Sequence, residues 1–390
     1  MLIKRDIEEE LRGCANEYPI VTILGPRQSG KTTLARMVFP DKQYFSMEDP
    51  NLRNQAAEDP RGFLENMPDG AILDEIQRLP DILSYLQSFV DNDNRPGLFI
   101  ITGSHQPELH QAVSQTLAGR TAILNLLPFS HAELCRLEKQ WDPFELCCMG
   151  AYPRLHDKHL KAERFFAGYI QTYIERDVRA LINLKDLDRF QVFLRLLAGR
   201  VGQLVNYSAL SNDAGVSAGT IKNWISVLKA SFVAFELPPY YENIRKRVTK
   251  SPKVFFCDVG LACYLLGIHN ARQLQRDPLR GGLYENMIIL EVLKERLNHG
   301  LMPQMNFYRD SHGREVDLII REGRMLHPIE IKSASTFTPD FITGIKSFHK
   351  VVENRCGRGM VCYNGKEKTT FKDTLIFNPF IHGGFDFAVR

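Results

Sequence analysis

Apolar and polar positions follow two rhythms that alternate along the first third of the chain and then separate. An unbroken apolar run at residues 20–24 leads into helical spacing at Leu34, Ala35 and Val38. Further short apolar runs follow at 71–73, 98–102 and 121–126. Short continuous runs of this kind read as strands buried on both faces, the pattern of a parallel sheet covered by helices. This alternation runs to about Leu127, Pro128 and Phe129, and helical spacing then dominates through Leu197. Beyond it, residues 207–214 read as a short helix, Gly215, Val216 and Ser217 as a tight turn, and 220–230 as a second helix. Ile221, Trp224, Ile225 and Leu228 fall on one buried face of that second helix. Apolar segments at 232–237 and 253–256 supply two strands, and 283–297 an amphipathic helix. Val316 to Ile320 then form a strand, 321–324 a turn, and Pro328, Ile329, Glu330, Ile331 and Lys332 a return strand.

These elements predict an α/β chain in four segments: a P-loop parallel-sheet domain at 1–130, a helical lid or connector at 131–200, a winged helix-turn-helix at 201–270, and a second α/β domain at 271–390. A length of 390 residues leaves room for two or three real cores. The net charge of +3 is too small to imply a polyanionic partner by itself, so the distribution of charge decides. The eight cysteines (Cys14, Cys135, Cys147, Cys148, Cys257, Cys263, Cys356 and Cys362) contain no Cys-x-x-Cys pair and read as reduced core thiols. No apolar stretch approaches the roughly 20 residues of a membrane helix. The opening residues lack a signal-peptide core, so a cytoplasmic protein without a membrane partner is expected.

The strongest chemical signal is Gly25-Pro26-Arg27-Gln28-Ser29-Gly30-Lys31-Thr32, with Thr33 following. It joins an expected strand to an expected helix, so backbone N–H groups and the helix N-terminus converge on phosphate. Gly25 and Gly30 permit the curled backbone, Lys31 reaches the outer phosphates, and the Thr32 hydroxyl holds Mg2+. ATP is the expected ligand. The next buried strand ends in Asp74 and Glu75, at the carboxyl edge where ligands of open α/β sheets collect. Asp74 is expected to hold the magnesium through its water shell and Glu75 to polarise the attacking water. The third strand ends near Thr102 and Ser104, either of whose hydroxyls could orient that water.

The segment Leu117-Ala118-Gly119-Arg120, placed just before the next strand, resembles the AAA-type ATPases. In them an arginine at this place reaches into a neighbouring subunit's nucleotide. The resemblance makes Arg120 the candidate finger and implies a ring or another oligomer. The alternative is an arginine that caps the preceding helix. Tyr173, Ile174, Glu175, Arg176 and Asp177 read as the wet side of a helix or as an interdomain switch contact. Arg154 and Arg176 are the candidates for a lid arginine.

In the helix-turn-helix, Ser217, Thr220, Lys222 and Asn223 sit at the start of the second helix, where a DNA reader meets the groove. Arg245, Lys246, Arg247, Lys250 and Lys253, a run without an acid, suit phosphodiester contacts on the wing. A packing module with a basic loop is the alternative.

In the last third, alternation puts Glu330 and Lys332 on one face of their strand, where Asp317 of the paired strand can meet them. Glu285 on the amphipathic helix is a fourth member. This arrangement resembles the PD-(D/E)xK nuclease fold. The resemblance implies Asp317 and Glu330 as ligands of Mg2+ or Mn2+, Lys332 as the catalytic cation and Glu285 as an auxiliary acid. A hairpin salt bridge, or a nuclease fold kept for binding alone, are the alternatives. Over nearly its whole length the chain resembles a prokaryotic family of AAA-type ATPases with a nuclease-like C-terminal domain. The residues that carry the likeness are the P-loop, Leu73 to Glu75, the Tyr173-Ile174-Glu175-Arg176-Asp177 stretch, Lys250-Ser251-Pro252-Lys253, Glu315-Val316-Asp317 and Ile329 to Lys332. The implied function is ATP turnover that governs a DNA-acting module, with a non-cleaving molecular switch as the other form.

Overall fold

The computed structural model describes residues 3–104, 113, 115–137, 141–174, 187–241, 251–382 and 384–385. The chain divides into two compact units. The first comprises Met1–Phe129 with Ala230–Phe232 and Arg296–Leu301; the second comprises Ser130–Lys229, Val233–Glu295 and Met302–Arg390.

Five parallel strands build the first unit: β1 (Ile20–Gly25), β2 (Gln43–Ser46), β3 (Ala71–Asp74), β4 (Phe99–Ser104) and β5 (Thr121–Asn125). They lie in the order β2-β3-β4-β1-β5. The uninterrupted apolar runs have a direct cause, because both faces of the sheet are covered. Ile20, Leu24, Leu73, Phe99 and Ile101 pack on one face with Leu83, Leu86 and Val90 of a helix, α5 below. Val21, Ile23, Ile72 and Ile100 pack on the other with Leu11, Leu34, Ala35 and Val38. The helices are α1 (Glu8–Glu17), α2 (Lys31–Val38), α3 (Pro50–Glu58), α4 (Pro60–Glu65) and α5 (Ile82–Asn92). Because β1 lies between β4 and β5, the loop after it opens at the carboxyl edge where the strand order reverses, the usual ligand position in such sheets.

The stretch expected to be helical consists of several short helices: α6 (His131–Cys135), α7 (Pro143–Met149), α8 (Pro153–Asp157) and α9 (Ala162–Tyr169), then a π-helical turn at Ile170–Ile174. Local caps divide them. Ser130 and Glu133 form a reciprocal capping box, and Asp142 accepts from the N–H groups of Phe144 and Glu145. Then come α10 (Leu187–Ala198), α11 (Tyr207–Ala214) and α12 (Ala218–Ala230). Gly215 ends α11 in a left-handed conformation, φ 66°. Strands β6 (Ala234–Leu237) and β7 (Lys253–Phe256) form an antiparallel ribbon. Helices α13 (Val259–Leu265), α14 (Ala271–Arg276) and α15 (Arg280–Asn298) lead into a six-stranded sheet.

That sheet has the order β12-β13-β11-β10-β9-β8. Strands β8 (Met305–Arg309), β9 (Glu315–Glu322) and β10 (Met325–Lys332) form an antiparallel meander. Helix α16 (Thr343–Val352) carries the chain to β11 (Met360–Tyr363), which is parallel to β10. Strands β12 (Thr369–Phe371) and β13 (Thr374–Phe377) complete it. Phe348 and Val352 of α16 pack on Val316, Ile319 and Leu326. Strands β2, β8 and β11–β13 are not among the strands expected from the sequence, although β11 is itself a run of four apolar residues, Met360 to Tyr363. The expectation of eight core thiols is corrected at three positions: Cys14 and Cys356 are half-buried and Cys135 is exposed.

One buried cation fastens the first unit from behind its loop. Arg5 donates to the carbonyl of Ser29 at 2.9 Å and of Leu127 at 2.8 Å, and its guanidinium lies 4.9 Å from the centre of the Phe129 ring. Arg5→Ala leaves those carbonyls without their charged donor, and the expected loss is about 2–4 kcal/mol. Guanidinium unfolding, followed by the loss of nucleotide binding, measures it.

Candidate nucleotide site and a second ionic cluster

The loop between β1 and α2 has no room for side chains where it turns. A Cβ on Gly25 would come 2.2 Å from the Leu126 carbonyl oxygen, and Gly30 opens α2 at φ 95°. Gln28 also has left-handed backbone, φ 63°. Lys31 is buried at the base of the loop, where its ammonium donates to the carbonyls of Gly25 at 3.1 Å and Pro26 at 2.8 Å. Burial draws the ammonium down to about 8 while Glu75 and Asp74 favour its charged form. Thr33, the last of the expected loop residues, is exposed. A cavity of about 450 Å3 flanks α2, lined by Thr32, Thr33, Arg36, Met37, Phe39, Pro40, Lys42 and Tyr44.

Asp74 is the centre of the site. Its Oδ1 accepts from the Thr32 hydroxyl at 2.8 Å and from the Thr102 hydroxyl, and its Oδ2 accepts from the Tyr44 phenol at 2.8 Å. Burial and then the bond to Asp74 push the Tyr44 phenol up to about 12, so it remains a donor. Glu75 follows with left-handed backbone, φ 56° and ψ 45°, a conformation that costs a non-glycine residue about 1–2 kcal/mol. That turn sets its carboxylate beside Gln77 and Ser104. Gln77 Nε2 donates to Glu75 Oε2 and to Ser104 Oγ at 2.7 Å, and Ser104 Oγ stands 3.4 Å from the same carboxylate oxygen. Thus Asp74, Glu75, Thr32, Thr102 and Ser104 come together as the motif suggests. Tyr44, Gln77 and Arg5 were missed, and no residue spacing in the chain announces them.

Arg120 is engaged within its own chain. Its guanidinium pairs with Asp91 at the end of α5, Nη2 to Oδ2 at 3.0 Å, and also donates to the Ala118 carbonyl. Arg154 is exposed on α8 in the second unit, while Arg176 lies outside the described residues.

At the start of α12, the Ser217 hydroxyl accepts from the Thr220 N–H at 3.0 Å and lies 2.9 Å from the Thr220 hydroxyl, so both side chains serve as a cap. Lys222 and Asn223 are exposed, with the Lys222 ammonium 5.5 Å from the Tyr207 ring centre. Arg245, Lys246, Arg247 and Lys250 lie outside the described residues. Lys253 requires a correction. Instead of offering charge to a phosphate, it is buried at the start of β7, bonded to Glu285 at 2.8 Å and to Glu315. Counting charges along the run missed that its last member already belongs to an inward-facing strand.

Strands β9 and β10 bring Asp317, Glu330 and Lys332 together. Lys332 Nζ lies 3.1 Å from Asp317 Oδ2 and 2.7 Å from Glu330 Oε2. Ladder pairing between the strands reaches Ile329 and Leu318, after which Asp317 Oδ2 takes the Ile331 N–H at 2.8 Å. The expected metal ligands therefore meet around an ammonium group. Among the described residues, no group of three or more Asp, Glu, His or Cys side chains is arranged to hold a metal ion. Burial, reinforced by Asp317, holds the Glu330 carboxyl well above its ordinary range, whereas Lys332 and Lys253 overcome burial to keep Asp317 ionised. Glu285 stands on Lys253 rather than on Asp317 and Glu330, and burial raises it to about 7 against the pull of that lysine. Gly344 of α16 closes over the pair, since a Cβ there would come 2.1 Å from Glu330 Oε1.

Residues 17–135 match the family described as AAA domain. Residues 140–272 and 280–380 match two families described as domains of unknown function, DUF8612 and DUF4143. The uncharacterized protein Rv2008c of Mycobacterium tuberculosis is 30% identical over 387 residues, which covers 97% of this chain and 84% of that protein. The uncharacterized protein MJ1637 of Methanocaldococcus jannaschii is 24% identical over 340 residues, 74% of this chain and 70% of its own. Among solved structures, the Walker-type ATPase PABY2304 of Pyrococcus abyssi aligns with a TM-score of 0.46 at 15% identity, over 67% of this chain and 94% of that one. No helix among the described residues is long and apolar enough to cross a membrane.

The ionic cluster has a measurable asymmetry. Removing one partner of a buried pair strands the other, so Lys253→Met is expected to destabilise the second unit by about 3–5 kcal/mol, and Glu285→Gln in the same chain to recover part of that loss. A double-mutant cycle by chemical denaturation gives both values.

Proposed function

We propose that this chain, which belongs to the family of the mycobacterial protein Rv2008c, hydrolyses ATP in its first unit and uses that turnover to control a DNA-binding module in its second. The first part rests on firm ground, since residues 17–135 form an AAA-type P-loop ATPase domain. The observation that carries the reading is the Thr32 hydroxyl on Asp74 at 2.8 Å, with Lys31 on one side and Glu75 on the other. A hydroxyl and a carboxylate at the mouth of an amide-lined loop suit a magnesium ion that is held partly through water. Held by Thr32 and Asp74, magnesium would supply neutralisation of the phosphate charge. The loop amides orient the triphosphate, and the Lys31 ammonium exchanges the Gly25 and Pro26 carbonyls for phosphate oxygens. Glu75 accepts the proton of the attacking water. In an oligomer Arg120 would serve as the finger, after giving up Asp91.

For the second unit, the capped helix pair α11–α12 followed by the β6–β7 ribbon supports a winged helix. Ser217, Thr220, Lys222 and Asn223 would face the groove, with Arg245, Lys246, Arg247 and Lys250 on phosphates. The order of a helix carrying Glu285, a meander carrying Asp317 and Glu330, and a crossover helix supports a nuclease-like domain. Two forms of this function differ in what that domain does. In one, Asp317 and Glu330 take up Mg2+ or Mn2+ and Lys332 assists cleavage. In the other, the domain binds DNA or a protein without cutting, and the closure of Gly344 over Glu330, with lysine as the internal cation, favours that form.

Two experiments decide. Lys31→Ala should abolish ATP binding in calorimetry. Glu75→Gln should bind ATP normally yet turn over about a hundredfold more slowly, and equal turnover in Glu75→Gln and wild type would remove Glu75 from the mechanism. For the second unit, incubation with duplex and single-stranded DNA in Mg2+ or Mn2+ separates the forms. Cleavage that disappears in Asp317→Ala and Lys332→Ala, with ATPase intact, supports the nuclease. DNA retention without cleavage, weakened in Lys222→Ala, supports the switch.

A further inference from the structure

Glu75 uses only one of its two carboxylate oxygens within the chain. Gln77 Nε2 and Ser104 Oγ both address Oε2, and among the described residues Oε1 makes no hydrogen bond. The 3-10 turn at Ile76–Arg78, entered through the left-handed backbone of Glu75, is what brings Gln77 back alongside. The orientation of the amide is forced by its neighbours. A carboxylate only accepts, so the NH2 end must face Glu75, and both of its N–H groups are then used, on Glu75 and on Ser104. The other end shows that this arrangement is not simply a matter of packing: Gln77 Oε1 is buried and has no hydrogen-bond partner among the described residues. An amide placed for stability alone would pair both ends, because an unpaired buried acceptor opposes folding.

We propose that Gln77 is a positioning residue for ATP hydrolysis, clamping Glu75 Oε2 against Ser104 so that Oε1 is presented as the proton acceptor. This rests on the ATPase reading above. In the step concerned, the water oxygen bonds to the γ-phosphorus as the bond from that phosphorus to the ADP oxygen breaks, and the proton of the water passes to Glu75 Oε1. Gln77 touches neither water nor phosphate. It removes the rotational freedom of the carboxylate, which would otherwise have to be lost as the water attacks phosphorus.

Gln77→Met keeps the length of the side chain and deletes both donors; Gln77→Leu deletes them in a shorter, uncharged side chain. Both should lower kcat by about tenfold to a hundredfold, with the Kd of a fluorescent ATP analogue and the thermal midpoint held near wild type. A role confined to the fold would instead lower the thermal midpoint or weaken binding while kcat persisted. Retention of kcat within about twofold by either folded variant overturns the proposal. A second measurement does not depend on turnover: crystal structures of wild type and Gln77→Met with a non-hydrolysable ATP analogue and magnesium. Release of the Glu75 carboxylate from Ser104 in the variant supports the clamp, and an unchanged Glu75 overturns it. Wild-type protein that binds ATP without hydrolysing it would sink the ATPase reading alone, and the crystal comparison would still judge Gln77.

Discussion

A single carboxylate organises the nucleotide site. Asp74 accepts hydroxyls from Thr32 on α2, Thr102 on β4 and Tyr44 on β2, so one side chain joins the phosphate-binding helix to three strands of the sheet. Each bond is charge-assisted, and the surroundings are shielded from water, which strengthens the set beyond isolated surface contacts. The loop, the helix that leaves it and the Glu75 turn are therefore in register before any ligand arrives. In catalytic terms this is preorganisation: groups that must surround a charged transition state already hold their geometry through bonds among themselves.

How much of this can be read from residues alone depends on whether a feature is local. The phosphate loop is legible because backbone geometry imposes glycine at fixed places, and Asp74 and Glu75 because they terminate an apolar run. Asp317, Glu330 and Lys332 are legible through strand alternation. By contrast, Tyr44 and Thr102 become partners of Asp74 only through the strand order β2-β3-β4, which no local pattern states. Arg5 meets Ser29 and Leu127 by the same kind of long-range closure. Lys253 shows the opposite hazard, a charge that belongs to a basic run in the sequence and to a buried acidic cluster in space. Strand β12 escaped because a short, polar segment gains its identity from the sheet that recruits it, whereas β11 is a buried apolar run that was overlooked.

The cluster in the second unit follows a different electrostatic rule from the nucleotide site. Glu285, Glu315, Asp317 and Glu330 are balanced by two ammonium groups and by protons that burial retains. Such a cluster specifies one arrangement of strands, since any slip of register would strand a charge in an apolar interior. Where the nucleotide site keeps an acceptor oxygen open on Glu75, this cluster keeps its carboxylates engaged.

The central place of β1 has a bearing on biosynthesis. Ile20 pairs with Phe99 on one side and with Thr121 on the other, and the first unit also recruits Ala230–Phe232 and Arg296–Leu301. A nascent chain leaving the ribosome therefore exposes its phosphate loop long before the strands that cradle it have been synthesised. Such long-range pairing folds slowly and leaves apolar strands uncovered in the meantime. The glycines that make the motif so easy to recognise are translated well ahead of β4 and β5, and they reach their working shape only once that distant stretch of message has been read.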